Sequence, residues 1–174
     1  MAPSGVEAPV RAAIERMILA WTVLGGGLLL LIVLVTALNV GAYALDAIAG
    51  TWGGSVPALL GYEDFVTSTV GAAALMLFPY CQLRRGHVAV DLFVGRLPRS
   101  LQGAIDRVSL AAMALLVLAL LYWMTLGMLE SRADNVLAPI LGWREWPFYL
   151  PGLVSLGLWF AILMLDLLQP AARP

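Results

Sequence analysis

Residues 17–45 read MILAWTVLGGGLLLLIVLVTALNVGAYAL, and they carry the strongest structural instruction in the chain. No charge falls between Arg16 and Asp46, which leaves an almost unbroken apolar run of about 29 residues. A bilayer core needs roughly 20 apolar residues in a helix. The run is therefore expected to be a membrane-spanning helix that tilts or projects beyond the core. Ala42-Tyr43-Ala44 offers an Ala-x-Ala cleavage pattern. A signal peptide's apolar region is only about 7–15 residues long, however, so the run is expected to stay as a span.

Charges delimit three further spans. Residues 65–83 lie between Glu63-Asp64 and Arg84-Arg85, and residues 108–129 between Arg107 and Glu130. Residues 146–165 end at Asp166 and Pro170, and Pro147 and Pro151 suit the first turns of that last helix. The expected fold is an all-α integral membrane protein with four transmembrane helices in a single membrane domain, 1–174. Composition agrees. Of 174 residues, 61% are hydrophobic and 12% charged, whereas a soluble domain is about half apolar and a quarter charged. The mean hydropathy is +0.91. A net charge of -1 argues against nucleic acid as a partner, because phosphate binding needs a basic surface.

Arginine placement sets the expected orientation. Arg11 and Arg16 precede the first span, and Arg84, Arg85, Arg96, Arg99 and Arg107 occupy the loop 84–107. Arg173 lies in the tail. The loop 46–64 has no arginine, and the loop 130–145 has only Arg132 and Arg144. Both termini and the Arg84 loop should face the cytoplasm, with the other two loops periplasmic. In the inner loop, Leu101, Ile105 and Val108 recur at helical spacing after Pro98. This suggests a cytoplasmic interfacial, amphipathic segment running into the third span; the alternative is a loop that only reconnects two helices. In the outer loops, Trp143, Trp146 and Tyr149 fit an aromatic belt that anchors the fourth span.

Much chemistry is missing. The four apolar runs contain no Asp, Glu, Arg or His, whereas ion and proton pathways use intramembrane ionisable groups or interrupted helices. Their polar groups are hydroxyls such as Thr69, Thr125 and Ser155, together with Asn39, the costliest to bury. An interhelical hydrogen bond is the favoured role for Asn39 over ion ligation. His87 is the only histidine. That excludes a two-histidine haem site in this chain and leaves no support for a metal site or for Ser-His-Asp or Cys-His catalysis. Cys81 is the only cysteine, so no intrachain disulfide forms. No cofactor is expected. Gly25-Gly26-Gly27, Gly71-Ala72-Ala73-Ala74 and the Gly157/Ala161 pair would let helices approach closely, within the chain or against another membrane protein.

The most distinctive stretch is Arg84-Arg85-Gly86-His87-Val88-Ala89-Val90-Asp91-Leu92, followed by Leu97-Pro98. It resembles a pattern of the DctQ-like small membrane subunits of tripartite ATP-independent periplasmic (TRAP) transporters: a basic residue, Gly-His, a hydrophobic-x-Val-Asp run, then Leu-Pro. Gly61 with Glu63-Asp64, and Trp146-Pro147 through Pro151, are similar to that family's approaches to its second and last spans. The resemblance covers nearly the whole chain. It implies a three-part, sodium-coupled importer of organic acids or related solutes in the bacterial inner membrane. A periplasmic solute-binding protein captures the solute, a large permease subunit moves it, and the small subunit is a static scaffold rather than the translocating part. The lack of intramembrane charge independently favours a non-translocating role, and the absence of a catalytic grouping around His87 leads us to expect no enzymatic activity. Two other readings stay open: a membrane assembly protein unrelated to uptake, and a small self-sufficient transporter acting as an oligomer.

Within the resemblance, Arg84, Arg85, Gly86, His87, Asp91 and Pro98 form the motif, with the two arginines expected at anionic lipid headgroups. His87 and Asp91 are four residues apart and would share a face on a helical turn, or Asp91 would cap a helix start. Trp52, Glu63, Asp64 and Arg144 are the candidate contacts for the periplasmic binding protein.

Overall fold

The computed structural model describes residues 7–84 and 99–168. Helix α1, Glu7–Ala49, runs 43 residues without a break. At 1.5 Å per residue it is about 65 Å long, roughly twice a hydrocarbon core of about 30 Å. The short 3₁₀ turn Gly50–Trp52 ends at Gly53, whose φ of 76° is left-handed. Helix α2 is Tyr62–Leu75, α3 is Phe78–Leu83 and α4 is Arg99–Ala133. A second 3₁₀ turn, Trp146–Phe148, leads into α5, Tyr149–Leu168. Four segments are long and apolar enough to cross a membrane: Arg11–Trp52, Tyr62–Leu83, Leu101–Ala133 and Trp146–Leu168. Among the described residues there is no strand, and the one isolated β-bridge pairs Leu137 with Arg144.

The second span is built from two helices. Pro79 has no N–H to give the carbonyl one turn back, and its ring crowds that turn. The break falls just before it. The Leu77 amide donates to Ala74 O at 3.1 Å, a tight i to i−3 bond, and regular bonding resumes with Cys81 to Leu77 at 3.1 Å. Pro79 itself is fully buried, so the kink is turned inward, where neighbours hold it in place.

Helix α5 is the hub: it packs against α1, α2, α3 and α4. Its buried residues Leu156, Trp159, Ile162 and Leu163 join Ile18 from α1 and Ala114 and Val117 from α4 in one core. Phe78 stacks on Trp159 with ring centroids 5.1 Å apart and planes 12° off parallel. Two glycines set close approaches. A Cβ on Gly25 would fall 2.6 Å from Met76 Cβ, and one on Gly152 would overlap the end of Met124. Gly26, Gly27, Gly71 and Gly157 meet nothing within 4 Å, so only part of the small-residue pattern serves packing inside this chain.

Candidate functional site

At the end read as outer from the arginine distribution, the first loop folds back along α1. Val56 N–H donates to Asp46 Oδ1 at 2.8 Å, and Leu59 N–H donates to Asn39 Oδ1 at 2.9 Å. The two acceptors lie seven residues apart, two turns along one helix face, so one side of α1 holds the loop at two levels. Asn39 is completely buried. Its side chain interacts with Tyr62 at the start of α2, as an interhelical role requires, and its Oδ1 also holds a loop amide. The physical reason is that a buried side-chain carbonyl needs a donor, and the returning loop brings one.

The loop then turns into α2 at Gly61, whose φ of 81° is left-handed. Glu63 and Asp64 occupy the first turn, where negative charge complements the helix dipole. Their side chains part company. Glu63 is exposed. Asp64 is only 7% exposed, and its Oδ2 accepts the amides of both Ile140 and Leu141 at 2.7 Å. The side chain of Leu141 covers Gly61 so closely that a Cβ there would sit 2.6 Å from Leu141 Cδ2.

The second outer loop is a compact hairpin. Asn135 at φ 50° turns the chain out of α4, and asparagine tolerates this conformation better than most residues. Ala138 N–H donates to Trp143 O at 2.9 Å and Glu145 N–H to Val136 O at 3.2 Å. Trp143 lies between Phe65 and Phe148, with centroids at 6.4 and 5.1 Å. The Arg132 guanidinium lies over the Trp146 ring at 5.3 Å. The aromatic cluster read as a belt therefore also joins the loop to α2 and to the start of α5. Of the four candidate contacts at this end, Trp52 is 84% exposed, Glu63 and Arg144 are exposed, and Asp64 faces inward.

At the opposite end, Arg84 closes α3. Its Nε donates to the Tyr80 hydroxyl at 3.0 Å, and its guanidinium lies 5.4 Å from the centre of the Tyr80 ring. Arg85, Gly86, His87, Asp91 and Pro98 lie outside the described residues, and so do the His87–Asp91 pairing and the Asp91 cap. Helix α4 is continuous from Arg99 to Ala133, so helix precedes the apolar part of the third span. Arg11 joins α1 to the end of α5: its Nε donates to Glu15 at 2.9 Å and its Nη1 to Asp166 at 3.3 Å.

Inside the bundle, Thr69 and Thr125 hydroxyls donate to carbonyls one turn back on their own helices, at 2.6 and 2.7 Å. Ser155 links two helices. It donates to Pro151 O at 2.8 Å and accepts from Trp21 Nε1 at 2.8 Å. Among the described residues, no three His, Cys, Asp or Glu side chains are grouped to hold a metal. The arrangement fastens loops to helix ends and helices to each other. Sequence reasoning passed over Asp46 and Arg11 as fasteners. The one signal in reach was the position of Asp46 directly after the longest apolar run, seven residues beyond Asn39.

A family model described as Tripartite ATP-independent periplasmic transporters, DctQ component, matches residues 32–173. No curated protein and no solved structure matches the chain. The match runs from the middle of α1 through all the later helices and includes the Arg84 to Pro98 stretch. This four-span membrane chain belongs to the DctQ component family, the small component of the TRAP transporters.

Proposed function

We propose that this chain is the scaffold subunit of a sodium-coupled, binding-protein-dependent TRAP importer of organic acids or related solutes. It supports a large permease subunit and leaves translocation to it. Family membership over residues 32–173 carries the assignment to the transporter. The scaffold role draws its support from the chain itself. Its four apolar runs hold no Asp, Glu, Lys, Arg or His, and a solute or ion path through a bilayer uses charged groups or broken helices lining a cavity. Within the described spans, the helix break at Pro79 is buried in packing. The buried polar atoms Asn39 Oδ1, Asp64 Oδ2 and Ser155 Oγ are spent on internal fastening.

In this reading the protein sits in the bacterial inner membrane with both termini and the Arg84 loop in the cytoplasm, as the arginine distribution favours. Membrane lipids surround Arg84 and Arg85, and the motif from Gly86 through His87, Asp91 and Pro98 sets the connection between the second and third spans. Trp52, Glu63 and Arg144 form the face offered to the periplasmic solute-binding protein, with Asp64 supporting that face from beneath.

The test is co-expression with a large TRAP permease subunit and a periplasmic binding protein from the same genome. The large subunit should co-purify with this chain, and sodium-driven uptake into proteoliposomes should require both. Uptake by the large subunit alone at the full rate, or by this chain alone, would overturn the scaffold reading. Reporter fusions that place the Arg84 loop outside would overturn the orientation.

A further inference from the structure

Between α1 and α3, at the end of the bundle bearing Arg84, lies an open cavity of about 470 Å³. Its wall includes Arg11, Glu15, Arg16, Tyr80, Leu83 and Arg84. Arg11 is already committed to Glu15 and Asp166. Arg16 and Arg84 are both exposed, and among the described residues neither has a carboxylate partner. Arg84 is nonetheless held in place, because its Nε donates to the Tyr80 hydroxyl and its guanidinium carbon lies 5.4 Å from the centre of the Tyr80 ring. That leaves the two terminal nitrogens of its guanidinium for another acceptor. Arg16 comes from a different helix, at the last charged position before the first apolar run. The two cations therefore line one cavity, each at the boundary of an apolar run.

The same wall continues into apolar surface. Leu19 and Leu83 also line the cavity, and Leu19 is 51% exposed. A cationic rim above an apolar wall matches a ligand with a phosphate at one end and hydrocarbon at the other. Arginine suits phosphate because its fork of donors engages two oxygens at once. Basic pockets between membrane helices on the cytoplasmic side are of the kind that hold anionic lipid headgroups.

We propose that this cavity binds the headgroup of an anionic phospholipid. Arg16 and Arg84 hold the phosphate, Tyr80 positions Arg84, and the acyl chain lies on Leu19 and Leu83. The proposal rests on the orientation given above, which puts this end in the leaflet carrying anionic lipid. The ligand is a lipid rather than a free phosphate because Leu19 and Leu83 extend the lining into apolar surface.

The purified full-length chain in neutral detergent can be titrated with short-chain phosphatidylglycerol, phosphatidylcholine and inorganic phosphate, following its melting temperature and lipid adducts by native mass spectrometry. Phosphatidylglycerol should bind about tenfold more tightly than phosphatidylcholine, and inorganic phosphate should have little effect. R16Q/R84Q should abolish the preference, R16K/R84K should keep part of it, and Y80F should weaken it less than R84Q does. Equal binding of the two lipids, or an unchanged preference in a folded R16Q/R84Q protein, would overturn the proposal. So would inorganic phosphate matching phosphatidylglycerol, since the occupant would then be a free anion. Sidedness plays no part in a detergent titration, so its failure is distinct from a failure of the orientation, which the reporter fusions read.

Discussion

Asp64 and Leu141 are 77 positions apart in the chain, and the Leu141 amide donates to Asp64 Oδ2 at 2.7 Å. The preceding amide, Ile140, donates to the same oxygen. One carboxylate thus gathers two neighbouring donors from the tip of the second outer loop and binds them to the first turn of α2. A hydrogen bond to a charged group contributes about 1.5–3 kcal/mol, and leaving a buried donor unpaired costs a comparable amount. D64A should therefore destabilise the outer end by about 3 kcal/mol, seen as a lower melting temperature and faster amide exchange at Ile140 and Leu141. Wild-type melting and exchange in D64A would show that the contact carries no stability.

Gly61 is under two separate constraints, and they can be pulled apart. Its φ of 81° disfavours any side chain, and Leu141 occupies the space a Cβ would need. G61A should cost about 1–2 kcal/mol from the backbone conformation alone, with a further steric share from Leu141. In a double-mutant cycle, adding L141A should recover the steric share and leave the backbone share. If the two substitutions are additive, the leucine is not what closes this position.

The first outer loop should loosen when its acceptors on α1 are removed. N39A takes away the partner of the Leu59 amide, and D46A that of Val56. Hydrogen exchange over residues 54–60 should rise in both variants, with N39A also costing about 1–3 kcal/mol of stability, read as a lower melting temperature, because its site is fully buried. Exchange in α5 should stay as it was. A uniform rise across the bundle would mean that Asn39 supports the helices rather than the loop.

Trp21 and Ser155 offer the clearest measure of polar glue between two spans. The Trp21 Nε1–H to Ser155 Oγ bond is 2.8 Å long and joins α1 to α5. Side-chain hydrogen bonds between membrane helices average about 0.6 kcal/mol in coupling energy and reach about 1.7. A cycle of W21F and S155A, read by unfolding in detergent, should give a coupling inside that range. Zero coupling would leave packing alone as the link.

How much of this was written in the sequence depends on the range of the interaction. Four spans are legible because each apolar run is local and bounded by charge, as between Arg16 and Asp46. The split of the second span was legible in principle, since Pro79 sits within it, but proline alone does not say where the chain relaxes the strain. The fasteners were not legible. Asp64 reads as a helix-start charge, and nothing local announces that its acceptor oxygen meets amides 76 and 77 positions later. Trp143 was ambiguous for another reason: an amphipathic ring serves equally at a headgroup or between two other rings, and only its neighbours Phe65 and Phe148 decide. The motif from Arg84 to Pro98 pointed to the family without giving its shape, because a residue pattern alone carries no geometry.

The distinction between fastener and contact surface gives the last prediction. Trp52 is 84% exposed, Arg144 is exposed, and neither side chain is part of the network that holds the loops. If this face meets the periplasmic binding protein, W52A and R144E should lower uptake by the assembled transporter about tenfold, the scale of losing one exposed anchor residue at an interface. Melting temperature and co-purification with the large subunit should be unchanged in both variants. D64A should show the reverse order, losing stability first and uptake only as a consequence. Raising the concentration of binding protein should restore uptake in W52A and R144E, because a weakened encounter is compensated by mass action, but should not restore it in D64A. Full uptake in the W52A/R144E double variant at limiting binding protein would remove this face from the docking surface and leave its aromatic and charged groups to the membrane boundary alone.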